Sequence, residues 1–210
     1  MRASGWRSMA ALLAATALAG AAFAWVTEGF SAVTSDGVRR ANLARVPRAL
    51  PDIGLVDAFG QTLSLQNYGS AGEATFVTLQ YVRCRSVCLT SAAGQSWLQG
   101  ELQARGLQTR VKLLTLSFDP YNDTPQVLAQ HAQRLHADPR LWRFATVRDA
   151  QNLPQLLGLF DLVVLPDGLG GFSHNAALFL VGRDGRLSKA YDIDRPDIAL
   201  ADYLHRGAGS

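Results

Sequence analysis

Three segments of this chain are rich in apolar and β-branched residues, and each is followed by a segment that is apolar only at helical intervals. ATFVTLQYV (74–82) is an almost unbroken run rich in β-branched residues, the pattern of a strand buried on both faces. RVKLLTLSFD (110–119) and WRFATV (142–147) repeat it. After the first, Leu89 to Gln103 reads as a helix that Gly106 closes. After the second, Thr124 is a good N-cap with Pro125 at the first helical position, and Val127, Leu128 and Leu135 form the apolar stripe. After the third, Ala150 to Leu159 is predicted helical.

Two hairpins flank these units. PDIGLVDAFGQTLSLQNYGS holds two short β-like runs around the turn signal Asp57-Ala58-Phe59-Gly60. AALFLVGRDGRLSKAYDI is the clearer one, with Arg183-Asp184-Gly185 at its turn. LVVLPDGLGGFSHN, just before it, reads as a loop after its first residues. Strands alternating with helices and closed by an antiparallel hairpin define an α/β fold, a central mixed β-sheet flanked by helices. There is no internal repeat and no low-complexity tract.

The N-terminus follows a different rule. Arg2 and Arg7 are the only charged side chains in the first 24 residues, and an uncharged run extends from Ser8 to Thr27. This is an export signal. Ala22-Phe23-Ala24 has the small-x-small form of a cleavage site, yet the run is also long enough to span a bilayer. A retained anchor is the favoured reading, with the arginines in the cytoplasm and the rest outside. No cysteine follows the run, which argues against a lipid-anchored form. The division expected is residues 1–27 as signal or membrane anchor, 28–50 as a polar tether, and 51–205 as the folded domain. Net charge is +3, but beyond the leader 18 basic groups face 17 acidic ones with no cluster, so nucleic-acid binding is not expected.

An oxidising, extracytoplasmic setting changes the picture of the two cysteines, Cys84 and Cys88, in YVRCRSVCLT. Cys84 lies where a buried strand gives way to a helix. Helix N-terminal amides, with Arg83 and Arg85, favour the thiolate, which is the form that reacts and binds metal. Three uses are open: a structural disulfide, a redox dithiol, or part of a metal site. On a helix, residues four apart have Cβ atoms roughly 5–6 Å apart, whereas a disulfide needs about 3.5–4.5 Å. That spacing favours two thiolates converging on an ion without excluding a reversible disulfide.

A metal site needs a further donor. Met1 and Met9 both lie in the leader, so a thioether is ruled out. His131 and His136 read as solvated positions on the helix after Pro125, and His205 as a residue of the C-terminal tail. His174 is the candidate, because it follows the glycine-rich GLGGFSHN loop and immediately precedes a strand. Two cysteines and one histidine form a soft donor set suited to Cu(I) and able to hold Cu(II). Structural zinc more often takes four protein ligands.

With these pieces placed, the chain resembles the Sco/SenC family of copper-binding, thioredoxin-like proteins. Three blocks in order carry the resemblance: LQYVRCRSVC, LSFDPYNDTPQVLAQHA and FSHNAALFLVGRDGRL. It implies a thioredoxin-like fold, one copper ion held by Cys84, Cys88 and His174, and a membrane-tethered domain. It also implies copper delivery to the dinuclear CuA centre of cytochrome c oxidase, with subunit II or another copper acceptor as partner. Asp119 matches the acidic residue of the DP block and is expected to support the site or partner docking. Family members commonly carry proline where this chain has Arg85 and Leu89, a change expected to alter loop stiffness and redox poise.

Two other activities compete. A thiol-disulfide oxidoreductase acting on a partner's cysteines needs only Cys84 and Cys88, though enzymes of that type usually have C-x-x-C. A peroxidase using one low-pKa thiol leaves His174 unexplained.

Overall fold

Side chains along a strand point alternately to the two faces of its sheet, so a strand buried at every position needs cover on both sides. The computed structural model describes residues 3–26, 35–69, 72–84 and 87–207, and it supplies that cover. The first elements are α1 (Ala3–Val26), α2 (Ser35–Arg45), β1 (Arg48–Ala49), β2 (Gly54–Asp57) and β3 (Thr62–Ser64). Then come β4 (Ala74–Gln80), α3 (Val87–Ala104), β5 (Val111–Ser117), α4 (Pro125–Arg134), β6 (Trp142–Val147) and α5 (Leu153–Leu159). The chain closes with β7 (Val164–Pro166), β8 (Phe172–His174), β9 (Leu178–Val181), β10 (Arg186–Tyr191) and α6 (Pro196–Gly207).

The main sheet has the order β1-β10-β9-β4-β5-β6-β2-β3. Its centre, β4-β5-β6, is parallel, and every other pairing in it is antiparallel. The mixed sheet expected from sequence is therefore present, as is the N-terminal hairpin β2-β3 around the Asp57–Gly60 turn. On one face Ala74 and Phe76 pack with Leu98 and Leu102 of α3, Leu128 of α4 and Leu200 of α6. On the other, Val77 and Leu79 pack with Leu43, Leu156 and Phe160. The cysteines belong to this second face.

Helix ends explain two local features. Gly106 takes a φ of 66° and donates to Gln103 O, while Leu107 donates to Leu102 O, the paired bonds of a left-handed helix stop. His136 does the same after α4, with a φ of 51° and bonds from His136 to Gln133 and Ala137 to Ala132. It terminates the helix rather than riding on its solvated face, which corrects the sequence expectation for that residue.

The structure adds elements that the pattern did not announce. The segment read as a tether contains α2, whose Leu43 is fully buried, and β1, which pairs with β10. Residues 28–34 of it lie outside the described residues. The stretch read as loop forms the small antiparallel sheet β7-β8. His205 lies in α6, exposed, rather than in a tail. The chain divides into two units, Met1–Ala41 and Asn42–Ser210. In the first, α1 contains a 20-residue span, Trp6–Trp25, long and apolar enough to cross a membrane.

Phe179 shows what the sheet rests on. It is fully buried on β9 and stacks edge-on against Phe160, with ring centroids 4.9 Å apart. Phe179→Ala is expected to cost about 3–5 kcal/mol of folding stability, measured by urea unfolding of the full chain. A loss near zero would mean that this ring is not part of the packed core.

Candidate metal centre

The loops that carry chemistry leave the C-terminal ends of the parallel strands, where open α/β sheets place their sites. After β4 the chain turns at once: Cys84 N–H bonds to Tyr81 O at 3.2 Å. Val82 N–H donates to Asp123 Oδ2 at 2.9 Å. The next helix, α3, begins only at Val87, so Cys84 lies before it and Cys88 is its second residue. Cys84 and Cys88 are joined in a disulfide with Cα atoms 5.8 Å apart, inside the usual range of about 4.4–6.8 Å. The Cβ separation expected from the i, i+4 spacing holds only where both residues are helical. With Cys84 outside the helix it does not apply, and the pair bridges while the helix stays regular. Arg85 lies outside the described residues.

His174 arrives from the other side. It ends β8, half-buried, with Nε2 3.5 Å from Cys88 Sγ. Its Nδ1 lies 2.9 Å from the carbonyl oxygen of Asn175. A carbonyl only accepts, so Nδ1 carries the proton and Nε2 presents its lone pair toward the sulfurs. Burial lowers the imidazole pKa, and the Asn175 carbonyl offsets part of this; the neutral, ligating form is favoured. Donor atoms of Cys84, Cys88 and His174 all lie within 4.8 Å of one another. The three residues named from sequence are thus brought together across 86 positions of chain between Cys88 and His174.

An aromatic wall holds the imidazole. Phe118 meets it edge-on at 4.9 Å between ring centroids and Tyr81 at 6.3 Å, and Phe172 packs on both. Asn175 ties the base of the hairpin, accepting from Val163 N–H and donating to Asp161 O.

Asp119, named from sequence as a supporting residue, is buried in the β5-α4 connection. Both of its carboxylate oxygens accept from Asn122 Nδ2 at 2.9 Å, and Oδ2 stands 3.8 Å from the guanidinium of Arg83. It therefore braces its own loop and meets the residue just before Cys84. It is not one of the three clustered donors.

Sequence reading passed over Asp123 and Tyr81. Asp123 is 1% exposed, and its Oδ2 accepts from Ser117 Oγ at 2.5 Å as well as from Val82. Its place in the DPYNDTP block, one residue before the Thr124 cap, was the available signal. His131 also departs from expectation. It is half-buried, with Nε2 3.1 Å from the side-chain nitrogen of Gln80, and burial lowers its pKa. That contact comes from β4, invisible in the helical pattern around it.

Such an arrangement, a mixed α/β sheet with two cysteines following a central strand and a histidine brought to them by a separate hairpin, is that of a thioredoxin-like protein with a thiol and imidazole donor set. The chain belongs to the SCO1/SenC family, whose model matches residues 47–208. The SCO1 protein homolog of Bacillus subtilis (strain 168) is 27% identical over 135 residues, which is 63% of this chain and 68% of that one. The structure is similar to that of Bradyrhizobium japonicum ScoI with copper bound: 25% identity, TM-score 0.61, covering 75% of this chain and 98% of that one. It shares its fold with BsSco, described as a Sco-family cytochrome c oxidase assembly protein with a disulfide switch, at 23% identity and TM-score 0.64, covering 75% and 92%.

Asp123 gives the site a pH signature. Burial raises its carboxyl above the ordinary value, against the lowering effect of its bonds from Ser117 and Val82. The folded protein therefore holds this proton more tightly than the unfolded chain. Stability contributed by Asp123 is fully present below the unfolded carboxylate range and is lost as pH rises through the elevated folded value. Asp123→Asn removes the titration. The stability of wild type relative to this variant should fall as pH rises across that window, followed by denaturant unfolding at a series of pH values. A difference that is flat with pH, or that rises, would contradict the assignment.

Proposed function

We propose that this protein is a copper metallochaperone that binds one copper ion through Cys84, Cys88 and His174 and hands it to the CuA centre of cytochrome c oxidase or another copper acceptor. The observation that carries the reading is the convergence of two sulfurs and a lone-pair-bearing imidazole nitrogen within 4.8 Å. The donors fit the ion. Two thiolates and a neutral imidazole suit a soft, monovalent metal, and among the described residues the group has no fourth protein donor of the kind structural zinc prefers. Family membership supports the same reading.

The cysteines must be reduced before copper is taken up. An external dithiol supplies two electrons and two protons, the Cys84–Cys88 bond opens to two thiols, and the donor leaves as a disulfide. Both thiol protons depart as the thiolates take the ion. His174 then contributes Nε2 without losing a proton, because its Nδ1–H already bonds to the Asn175 carbonyl. Cys84 and Cys88 are 7% and 6% exposed, so release to an acceptor requires that partner's ligands to enter a largely dry site. Arg2 ahead of the apolar Trp6–Trp25 span and Arg7 at its start support the reading of a domain tethered to the membrane on the extracytoplasmic side.

The test is a copper(I) titration of the full chain, reduced, anaerobic and in detergent, against a chromogenic chelator. Wild type should bind one equivalent tightly, Cys84→Ser and Cys88→Ser should lose it, and His174→Ala should bind far more weakly. Full retention by the His174 variant would overturn the three-donor site.

The disulfide between Cys84 and Cys88 favours a second reading, thiol-disulfide exchange with a partner's cysteines. That activity needs only the two sulfurs. His174→Ala should therefore keep disulfide exchange with a reduced dithiol peptide while losing copper affinity. Loss of both together would leave the exchange reading without support.

A further inference from the structure

The two halves of the centre are anchored by different groups. Val82 and Asp123 hold the cysteine loop, whereas His174 depends on where the β7-β8 hairpin sits. In that hairpin Pro166 lies opposite Phe172, and Asp167 N–H bonds to Gly171 O. Inward and outward backbone groups alternate along an antiparallel pair, so the N–H and C=O of Phe172 face away from β7. Both meet the same atom. Phe172 N–H donates to the Tyr81 hydroxyl at 3.0 Å, and that hydroxyl donates to Phe172 O at 3.3 Å.

We infer that Tyr81 is a positioning residue for His174: its hydroxyl clamps the outer edge of β8 and thereby fixes the imidazole Nε2 relative to the two sulfurs. Tyr81 is 6% exposed, three residues before Cys84, and its clamp falls two residues before His174. It is thus the side chain that spans from the cysteine segment to the histidine segment. Its ring packs on Phe118 and Phe172, but those contacts need no oxygen. Gly171 is matched to the clamp. A Cβ there would stand 2.8 Å from the Tyr81 hydroxyl and 2.6 Å from Asp167 Oδ2, distances that real Cβ atoms do not show. Asp167 in turn closes the hairpin tip by accepting from Leu169 and Gly171 N–H.

This inference rests on the proposal that His174 is a copper ligand, and the test separates the two. Tyr81→Phe keeps the ring and removes only the hydroxyl; Gly171→Ala leaves Tyr81 intact and displaces its hydroxyl. Full-length wild type, both variants, His174→Ala and the Tyr81→Phe/His174→Ala double variant are reduced and titrated with copper(I) against a chromogenic chelator. The midpoint potential of the Cys84/Cys88 couple is measured on the same samples.

Each single clamp variant should weaken copper binding about 10–100-fold, as groups that orient a metal ligand do, and leave the dithiol potential unchanged. In the His174→Ala background Tyr81→Phe should cost nothing more, since coupled residues are not additive. Wild-type affinity in both clamp variants, with His174→Ala weakened, overturns the role of Tyr81 and leaves the donor set standing. So does a further loss from Tyr81→Phe in the double variant, or a shift in the dithiol potential, because either marks a general packing effect. If His174→Ala binds as wild type does, the ligand assignment fails and the inference falls with it.

Discussion

Aromatic packing among Tyr81, Phe118, Phe172 and His174, mostly edge-to-face, makes one centre out of two distant pieces of chain. Tyr81 and Phe118 leave the ends of adjacent parallel strands, β4 and β5, and Phe172 and His174 come from a hairpin that belongs to neither. Aromatic pairs of this kind contribute about 0.5–1.5 kcal/mol each beyond their buried area. Without them, a three-residue strand paired only with another three-residue strand would have too little of its own to hold a ligand in place. The register of the parallel sheet matters for the same reason. Because Gln80 pairs with Ser117, the two aromatic residues that follow emerge at the same level and can receive the hairpin together.

Polar groups then fix what the rings leave free. Directly behind the cysteine turn a buried carboxylate, Asp123, takes the N–H of Val82 and the hydroxyl of Ser117. A buried carboxylate is costly unless its oxygens are used, and here one is used twice while Oδ1 finds no partner among the described residues. The raised pKa of Asp123 is the electrostatic face of that incomplete compensation. Its neighbour Asp119 differs: it is fully engaged by Asn122 and faces Arg83. The acidic pair of the DPYNDTP block therefore divides its work, one residue bracing the turn behind the cysteines and the other bracing its own loop.

Much of this was legible in the sequence. The buried strands, the crossover helices and both hairpins around Asp57–Gly60 and Arg183–Gly185 follow from local periodicity and turn chemistry, as does the candidacy of Cys84, Cys88 and His174. What was hidden depends on contacts between remote segments. His131 looks solvated until Gln80 of β4 is placed beside it. The β7-β8 hairpin is too short and too rich in glycine to show alternation, and its clamp is a tyrosine 91 residues away from Phe172. The i, i+4 geometry of the cysteines does not apply because an element boundary falls between them. Starting α3 at Val87 frees Cys84 from the helical lattice.

That displaced boundary also bears on how one site serves two states. Were both cysteines helical, closing the disulfide would have to distort the first turn, and opening it would move the helix. With Cys84 on a turn and Cys88 on the helix, the bridge joins two different elements instead of two positions of one helical turn. Cys88 Sγ lies 3.5 Å from His174 Nε2 in the disulfide-bonded form. On the proposed reading, reduction opens the bridge to two thiols beside the imidazole. Under that proposal, copper uptake and thiol exchange are alternative uses of the same two sulfurs, selected by whether the arriving partner brings an ion or a cysteine.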